Sequence, residues 1–274
     1  MNDALFHSIA KKANNELPFI DTVTLSGFGE FSMDPNWQQK VAIGSQHFKT
    51  VHIVTNASLL TEEDLDFLLE NVSDIRISLY GLDESTYRLI HNPPAQIKFA
   101  KVKQNIEYFS RYKKKGQRVI LNYIEVLSNR RQTHEWIRFW KDRVDLVEVW
   151  KPHNWIDAKE YRSIDRRRRI TCGRPFNGPI QVQVDGTVNV CCFDYNGLMI
   201  IGDLNTQSFE EIYHGKEMEK IQKYHKSGKA DKLYLCAICD QRNTDESKAK
   251  NIIYNSGYDI FSRIRRTSTD YDEL

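Results

Sequence analysis

The sequence predicts an α/β protein: a partial (β/α) TIM-like barrel followed by a small domain made of a β-hairpin and a helix. Three observations carry this expectation. From Thr22 to Trp150, short β-branched runs alternate with amphipathic helical stretches, the rhythm of βα units around a parallel sheet. After Trp150 that rhythm stops. All 5 cysteines then fall beyond residue 171, among glycine and proline turns.

The elements follow in order. A helix carrying Leu5, Ile9 and Ala13 comes first. Strands are expected at residues 22–26, 51–55, 74–80, 118–126 and 144–150, each apolar enough to bury at least one face. Thr61, followed by Glu62, Glu63 and Asp64 and then by Leu65, Leu68 and Leu69, reads as a helix cap and a core-facing stripe. Asp83-Glu84-Ser85 opens the next helix in the same way. A longer helix spans residues 98–115, with Val102, Ile106 and Phe109 on one face and Gly116 at its end. Another spans 131–142, where Trp136 and Trp140, four apart, are core packing. Pro152, Asn154, Tyr161 and the run Arg166 to Arg169 form a polar connector whose charges read as solvated. Two short alternating runs then flank Asp185-Gly186, a hairpin signal. A helix with Phe209, Ile212 and Tyr213 leads to a cysteine-bearing loop. The division is a barrel at 1–155, a linker at 156–170, a cysteine domain at 171–245 and a polar tail at 246–274.

Composition excludes several classes. With 40% hydrophobic residues a real core forms, so a disordered or fibrous chain is excluded. A net charge of only +2 gives no global pull toward nucleic acid or a membrane. Residues 1–19 lack the apolar block of a secretory signal, and no uncharged run spans a bilayer. A cytoplasmic protein is expected, where grouped cysteines read as metal ligands rather than disulfides.

Cys172 precedes the hairpin, Cys191 and Cys192 close it, and Cys236 and Cys239 share a later loop. Folding can bring these three pieces together, and four soft anionic ligands suit zinc or an iron-sulfur cluster. The spacing is not that of two close-spaced knuckles, so iron-sulfur is favoured over zinc, and both over buried cysteines without metal. Of the adjacent pair Cys191 is the expected ligand, with Cys192 on the other side of a strand. At the end of the first strand, Gly27-Phe28-Gly29-Glu30 is by itself an ordinary tight turn. The next two strands also end in small or polar residues, Thr55-Asn56-Ala57-Ser58 and Ser78-Leu79-Tyr80-Gly81. In a βα barrel all three ends share one face, where backbone groups can hold a charged amino acid moiety.

Together these residues resemble the radical S-adenosylmethionine (radical SAM) superfamily, in particular members with a C-terminal SPASM or twitch-type domain. The resemblance implies the radical SAM type of partial barrel with its first strand missing. It makes Gly27, Phe28, Gly29 and Glu30 the glycine-glutamate motif that binds the methionyl amino group, Thr55 and Asn56 the start of the usual Thr-Asn-Gly, and Ser78 a contact to the methionyl or ribose part. Cys172, Gly186, Cys191, Cys236 and Cys239 are similar to the pattern that holds one auxiliary 4Fe-4S cluster. His153, after the last barrel strand, resembles the family's bridge between domains and is expected within reach of the cofactor.

One departure is large. The CxxxCxxC motif that ligates the initiating cluster is absent from the sequence. The expectation is a chain that begins late, through truncation, a mis-called start or a split gene, and a second chain that supplies the missing segment is one of the candidate partners. The resemblance implies radical dehydrogenation or modification of a peptide or carbohydrate, an electron-donating redox protein, and little SAM cleavage by this chain alone. The alternative is a non-catalytic iron-sulfur or zinc binding module. Residue 22 would then start an unpaired sheet edge that needs a cover.

Overall fold

The computed structural model describes residues 1–27, 29–150, 152–154, 164, 167–242 and 252–254, the last three by backbone alone. Phe28, Lys151, Trp155, Tyr161, Arg166 and nearly all of 246–274 lie outside the described residues. Two compact units form: Asp21–Lys151 with Lys250–Leu274, and Met1–Ile20 with Pro152–Ala249.

After α1 (Asp3–Glu16), the chain builds the first of these units from β1 (Thr22–Leu25), α2 (Trp37–His47), β2 (Thr50–Thr55), α3 (Glu62–Asn71) and β3 (Asp74–Ser78). It continues with α4 (Glu84–His91), α5 (Phe99–Tyr112), β4 (Arg118–Ile124), α6 (Thr133–Trp140) and β5 (Leu146–Trp150). The five strands are parallel and adjacent in chain order. A short strand, Ile252–Tyr254, pairs antiparallel with β5. Among the described residues β1 pairs with β2 alone, so its outer edge is open.

Strand alternation sorts two faces. Ile53, Ile75, Ile77, Leu121 and Val147 pack against Leu65, Leu68, Ile106, Phe109, Trp136 and Trp140 of the helices in one apolar core. The other face carries His52, Asp74, Arg76, Asn122 and Glu148, neighbours in the ladder. Caps form where the sequence places them: Thr61 accepts from Asp64 N at 3.2 Å and the Asp64 carboxylate accepts from Thr61 N at 3.0 Å. The third strand ends at Ser78 rather than at residue 80, because the Tyr80 amide donates to His91 Nε2 at 3.0 Å instead of to the ladder.

The second unit holds α7 (Arg174–Asn177), β6 (Gln181–Val182), β7 (Thr187–Asn189), β8 (Ile200–Asp203), α8 (Phe209–Tyr213), α9 (Lys216–Lys226) and α10 (Tyr234–Ala237). The hairpin turns at Gly186, φ +93°, as the Asp-Gly pair requires. A third strand, β8, extends it, so Gly202 and Asp203 lie in a strand before the turn begins. Gly202 is needed there, since a Cβ would come within 2.5 Å of Ile212 Cγ1. Helix α1 belongs to this unit although the sequence division groups it with the barrel. Its Lys12 Nζ donates to the Leu204 and Gln207 carbonyls, each at 2.8 Å, and Glu16 accepts from Phe209 N at 2.7 Å. No helix among the described residues is long and apolar enough to cross a membrane.

Candidate metal centre and strand-end site

Three local structures deliver the cysteines. Gly173, φ +85°, turns the chain from Cys172 into α7. Beyond the hairpin, Asp194 is buried and its carboxylate accepts from Leu198 N at 2.8 Å and Met199 N at 2.9 Å, closing the loop that starts at Cys191. Cys192 lies in this turn and not on a strand, so strand alternation is not what separates the adjacent pair. α10 carries Cys236, and the Arg168 guanidinium holds the loop to Cys239: Nη2 donates to the Cys236 carbonyl at 2.8 Å, Nη1 to Ala237 O at 2.8 Å, and the Cys239 carbonyl is a third acceptor. Arg168 and Arg242 share Asp231. Arg168 is therefore a tie within the fold and not the solvated charge that the run suggests.

Cys172, Cys191, Cys236 and Cys239 line one cavity, together with Val190, Met199, Ile221, Leu235, Arg174 and His225. Burial, reinforced by the neighbouring thiols, pushes Cys236 up to about 12, and burial does the same to Cys239. Cys191 is raised by its hydrogen bond with Cys192 and by burial, while Cys192 is lowered by the same bond and by Arg174. Thiols held neutral this way become thiolates only against a soft cation, which releases their protons. Arg174 and Arg242 on the cavity wall offset the charge that results. Four soft thiols lining one cavity suit zinc or an iron-sulfur cluster as a donor set.

His153 does not line this cavity. Its Nδ1 lies 2.9 Å from Gln241 Nε2, and its ring meets Phe193 edge-on at 4.9 Å.

In the barrel unit, Glu30 links two strand ends. Its Oε1 accepts from Thr55 Oγ1 at 2.5 Å and its Oε2 from Asn56 N at 2.7 Å. Among the described residues, and leaving aside each glycine's chain neighbours, no atom lies within 4 Å of where a Cβ would sit on Gly27 or Gly29, so packing does not demand glycine at either position. The open space beside that backbone is what a ligand approaching closely would need. Ala57 has φ +56° and is buried, the reason glycine suits this position. Its carbonyl and that of Leu60 accept from Asn105 Nδ2 at 2.8 and 2.9 Å. Asn56 Oδ1 is taken up by Ser58 N at 2.8 Å. Ser78 ends β3 one residue past the partner of Thr55 and shares a hydrogen bond with Tyr80, whose hydroxyl burial pushes up. Gly27, Gly29, Glu30, Thr55, Asn56 and Ser78 thus meet at one end of the sheet.

The sequence signature of the SPASM family, an iron-sulfur cluster-binding domain, matches residues 172–240, the segment that delivers all four cavity cysteines. Three solved structures share the fold. BtrN in complex with AdoMet and 2-DOIA is 19% identical, with TM-score 0.54, over 88% of this chain and 80% of that one. Native anSMEcpe with bound AdoMet is 15% identical, with TM-score 0.63, over 80% and 73%. SuiB of Streptococcus suis bound to S-adenosylmethionine is 11% identical, with TM-score 0.60, over 80% and 60%. The chain carries a SPASM-type segment and shares the fold of these three structures. No curated protein sequence matches it.

Several residues that shape this protein escape a reading of the sequence. Arg168, Asp194 and His225 act through contacts that no spacing announces. The polar sheet face was more legible, because Asp74-Ile75-Arg76-Ile77-Ser78 alternates openly. Its centre is Glu148, fully buried, with a carboxyl raised by burial against the pull of Arg76 at 3.1 Å and accepting from Trp150 Nε1 at 2.9 Å.

Proposed function

We propose that this chain is the S-adenosylmethionine-binding barrel and auxiliary-cluster part of a radical enzyme that dehydrogenates or otherwise modifies a peptide or carbohydrate substrate. The observation that carries the reading is the convergence of Cys172, Cys191, Cys236 and Cys239 on one cavity inside the SPASM segment. These residues would hold the auxiliary 4Fe-4S cluster, and a complete set of four protein ligands favours electron transfer over direct ligation of substrate. When bound, the cluster supplies a one-electron acceptor for the product.

The chain's own residues prepare the other half of the site. The open backbone at Gly27 and Gly29 receives the cofactor's methionyl end, with Phe28 between them, while Glu30 fixes that loop to Thr55 and Asn56. Ser78 completes the contact from the next strand. Support for this cofactor comes from the AdoMet held by BtrN and anSMEcpe, and support for the substrate classes from the 2-DOIA of BtrN and the Cp18Cys peptide of anSMEcpe.

Turnover requires a CxxxCxxC loop from another segment or chain, since every cysteine here lies beyond residue 171. The open edge of β1 suits such a partner, which would add a strand to the sheet. A cytoplasmic redox protein completes the system. The test is anaerobic: purified chain is assayed for iron and acid-labile sulfide, for SAM binding by calorimetry, and for deoxyadenosine formation with and without a chain bearing the motif. Roughly four iron and four sulfide per chain are expected, with SAM cleavage only in the supplemented reaction. Zinc without sulfide sinks the cluster, and fast cleavage by the chain alone sinks the need for a partner. Cleavage absent even with the motif supplied points instead to a non-catalytic binding module, the reading that the missing motif favours.

A further inference from the structure

His225, on α9, is buried and lines the four-cysteine cavity. Its Nε2 lies 3.5 Å from Cys236 Sγ and its Nδ1 lies 2.8 Å from Thr171 Oγ1. The sulfur end of this relay sets its polarity, because a ligating thiolate can only accept. The Gly173 amide, which can only give a proton, donates to Thr171 Oγ1 at 3.0 Å. The Thr171 hydroxyl accepts there with one lone pair and keeps its own proton available to Nδ1. A neutral ring whose Nδ1 accepts carries its proton on Nε2, the atom facing sulfur. The opposite tautomer would set the Nε2 lone pair against a thiolate.

We propose that His225 is a positioning residue whose Nε2–H donates to the Cys236 sulfur and raises the reduction potential of the cluster those cysteines hold. This rests on the iron-sulfur reading above. A donor to a ligating sulfur stabilises the reduced, more negative state over the oxidised one. Thr171 acts at one remove by keeping the ring's proton on the correct nitrogen. The Gln241 amide, 3.4 Å from Cys239 Sγ, is a second donor that every variant below retains.

The experiment uses the full chain loaded anaerobically with iron and sulfide, with metal and sulfide content measured before anything else. Redox titrations followed by EPR compare wild type with His225→Leu, His225→Gln and Thr171→Val. In His225→Leu the midpoint falls by the equivalent of a tenfold change in the electron-transfer equilibrium, about 59 mV for a one-electron couple. His225→Gln places an amide N–H near the former Nε2 and recovers most of the loss. Thr171→Val shows a smaller fall. Labelling with 15N-histidine gives the reduced wild-type cluster a nitrogen hyperfine coupling that Thr171→Val weakens.

Should His225→Leu fail to load, the labelled wild type and Thr171→Val decide the matter. A loaded wild type without histidine coupling, or potentials unchanged in Thr171→Val and His225→Leu, overturns the inference alone. A wild type that holds no sulfide overturns the cluster reading itself.

Discussion

Acid weakens the barrel unit in part through the ring of His91. Burial pushes His91 down from its ordinary 6.5 to about 4. The structural causes are specific: Nε2 accepts from the Tyr80 amide at 3.0 Å, and the ring is stacked on Tyr80 at 4.6 Å and packed against Tyr87 at 4.7 Å. Protonation breaks that bond and sets a charge among aromatic faces. Because the folded-state value is depressed, the folded chain binds fewer protons than the unfolded one between pH 4 and 6.5. The stability involved is therefore present above 6.5 and lost as pH falls toward 4. From pH 7 to pH 5 the loss is about 1–2 kcal/mol once the ring's partial exposure is allowed for. His91→Gln offers an amide oxygen to the Tyr80 N–H and cannot titrate. Urea unfolding at pH 7 and pH 5, followed through the buried Trp136 and Trp140 of the same unit, compares the two proteins. Wild type should lose the stated stability relative to the variant. Equal losses in both would refute the assignment.

Three further outcomes are expected. Serine at Cys172, Cys191, Cys236 or Cys239 removes most cluster iron, whereas Cys192→Ser, outside the cavity lining, retains it, as iron and sulfide analysis will report. Asn105→Leu leaves the Ala57 and Leu60 carbonyls buried without their donor, which costs about 2–4 kcal/mol, and should lower the urea midpoint at constant slope; a change below about 1 kcal/mol counts against the clamp. Glu30→Gln turns an NH2 group toward Thr55 or Asn56, and titration calorimetry should show SAM affinity at least tenfold weaker, about 1.4 kcal/mol; an unchanged Kd removes Glu30 from the site.

The parallel sheet was legible because its signals are local. A β-branched run followed by a capped amphipathic helix means the same thing wherever it sits, and Thr61, Asp83 and Trp136 behave as their neighbours dictate. Strand limits were less so, since Leu79 and Tyr80 have strand-like side chains but the Tyr80 amide is claimed by a histidine eleven residues away. The small third strand, Ile200–Asp203, was hidden for a similar reason: it is short, and only pairing with Thr187–Asn189 makes it a strand.

The sequence alone determined which side-chain chemistry is available. Cysteine number and spacing offer soft metal donors without any coordinates, because donor character is a property of side-chain atoms. Tertiary structure decided how those ligands are held. Arg168 lies 68 residues before Cys236, and His225 and Cys236 face each other only because the fold brings α9 against the segment that carries Leu233 and Cys236. Contacts of that kind depend on relative position after folding, and no periodicity in a linear chain encodes them. The open space at Gly27 and Gly29 is of the same sort, since only the folded chain shows that the described residues leave the place beside those glycines empty.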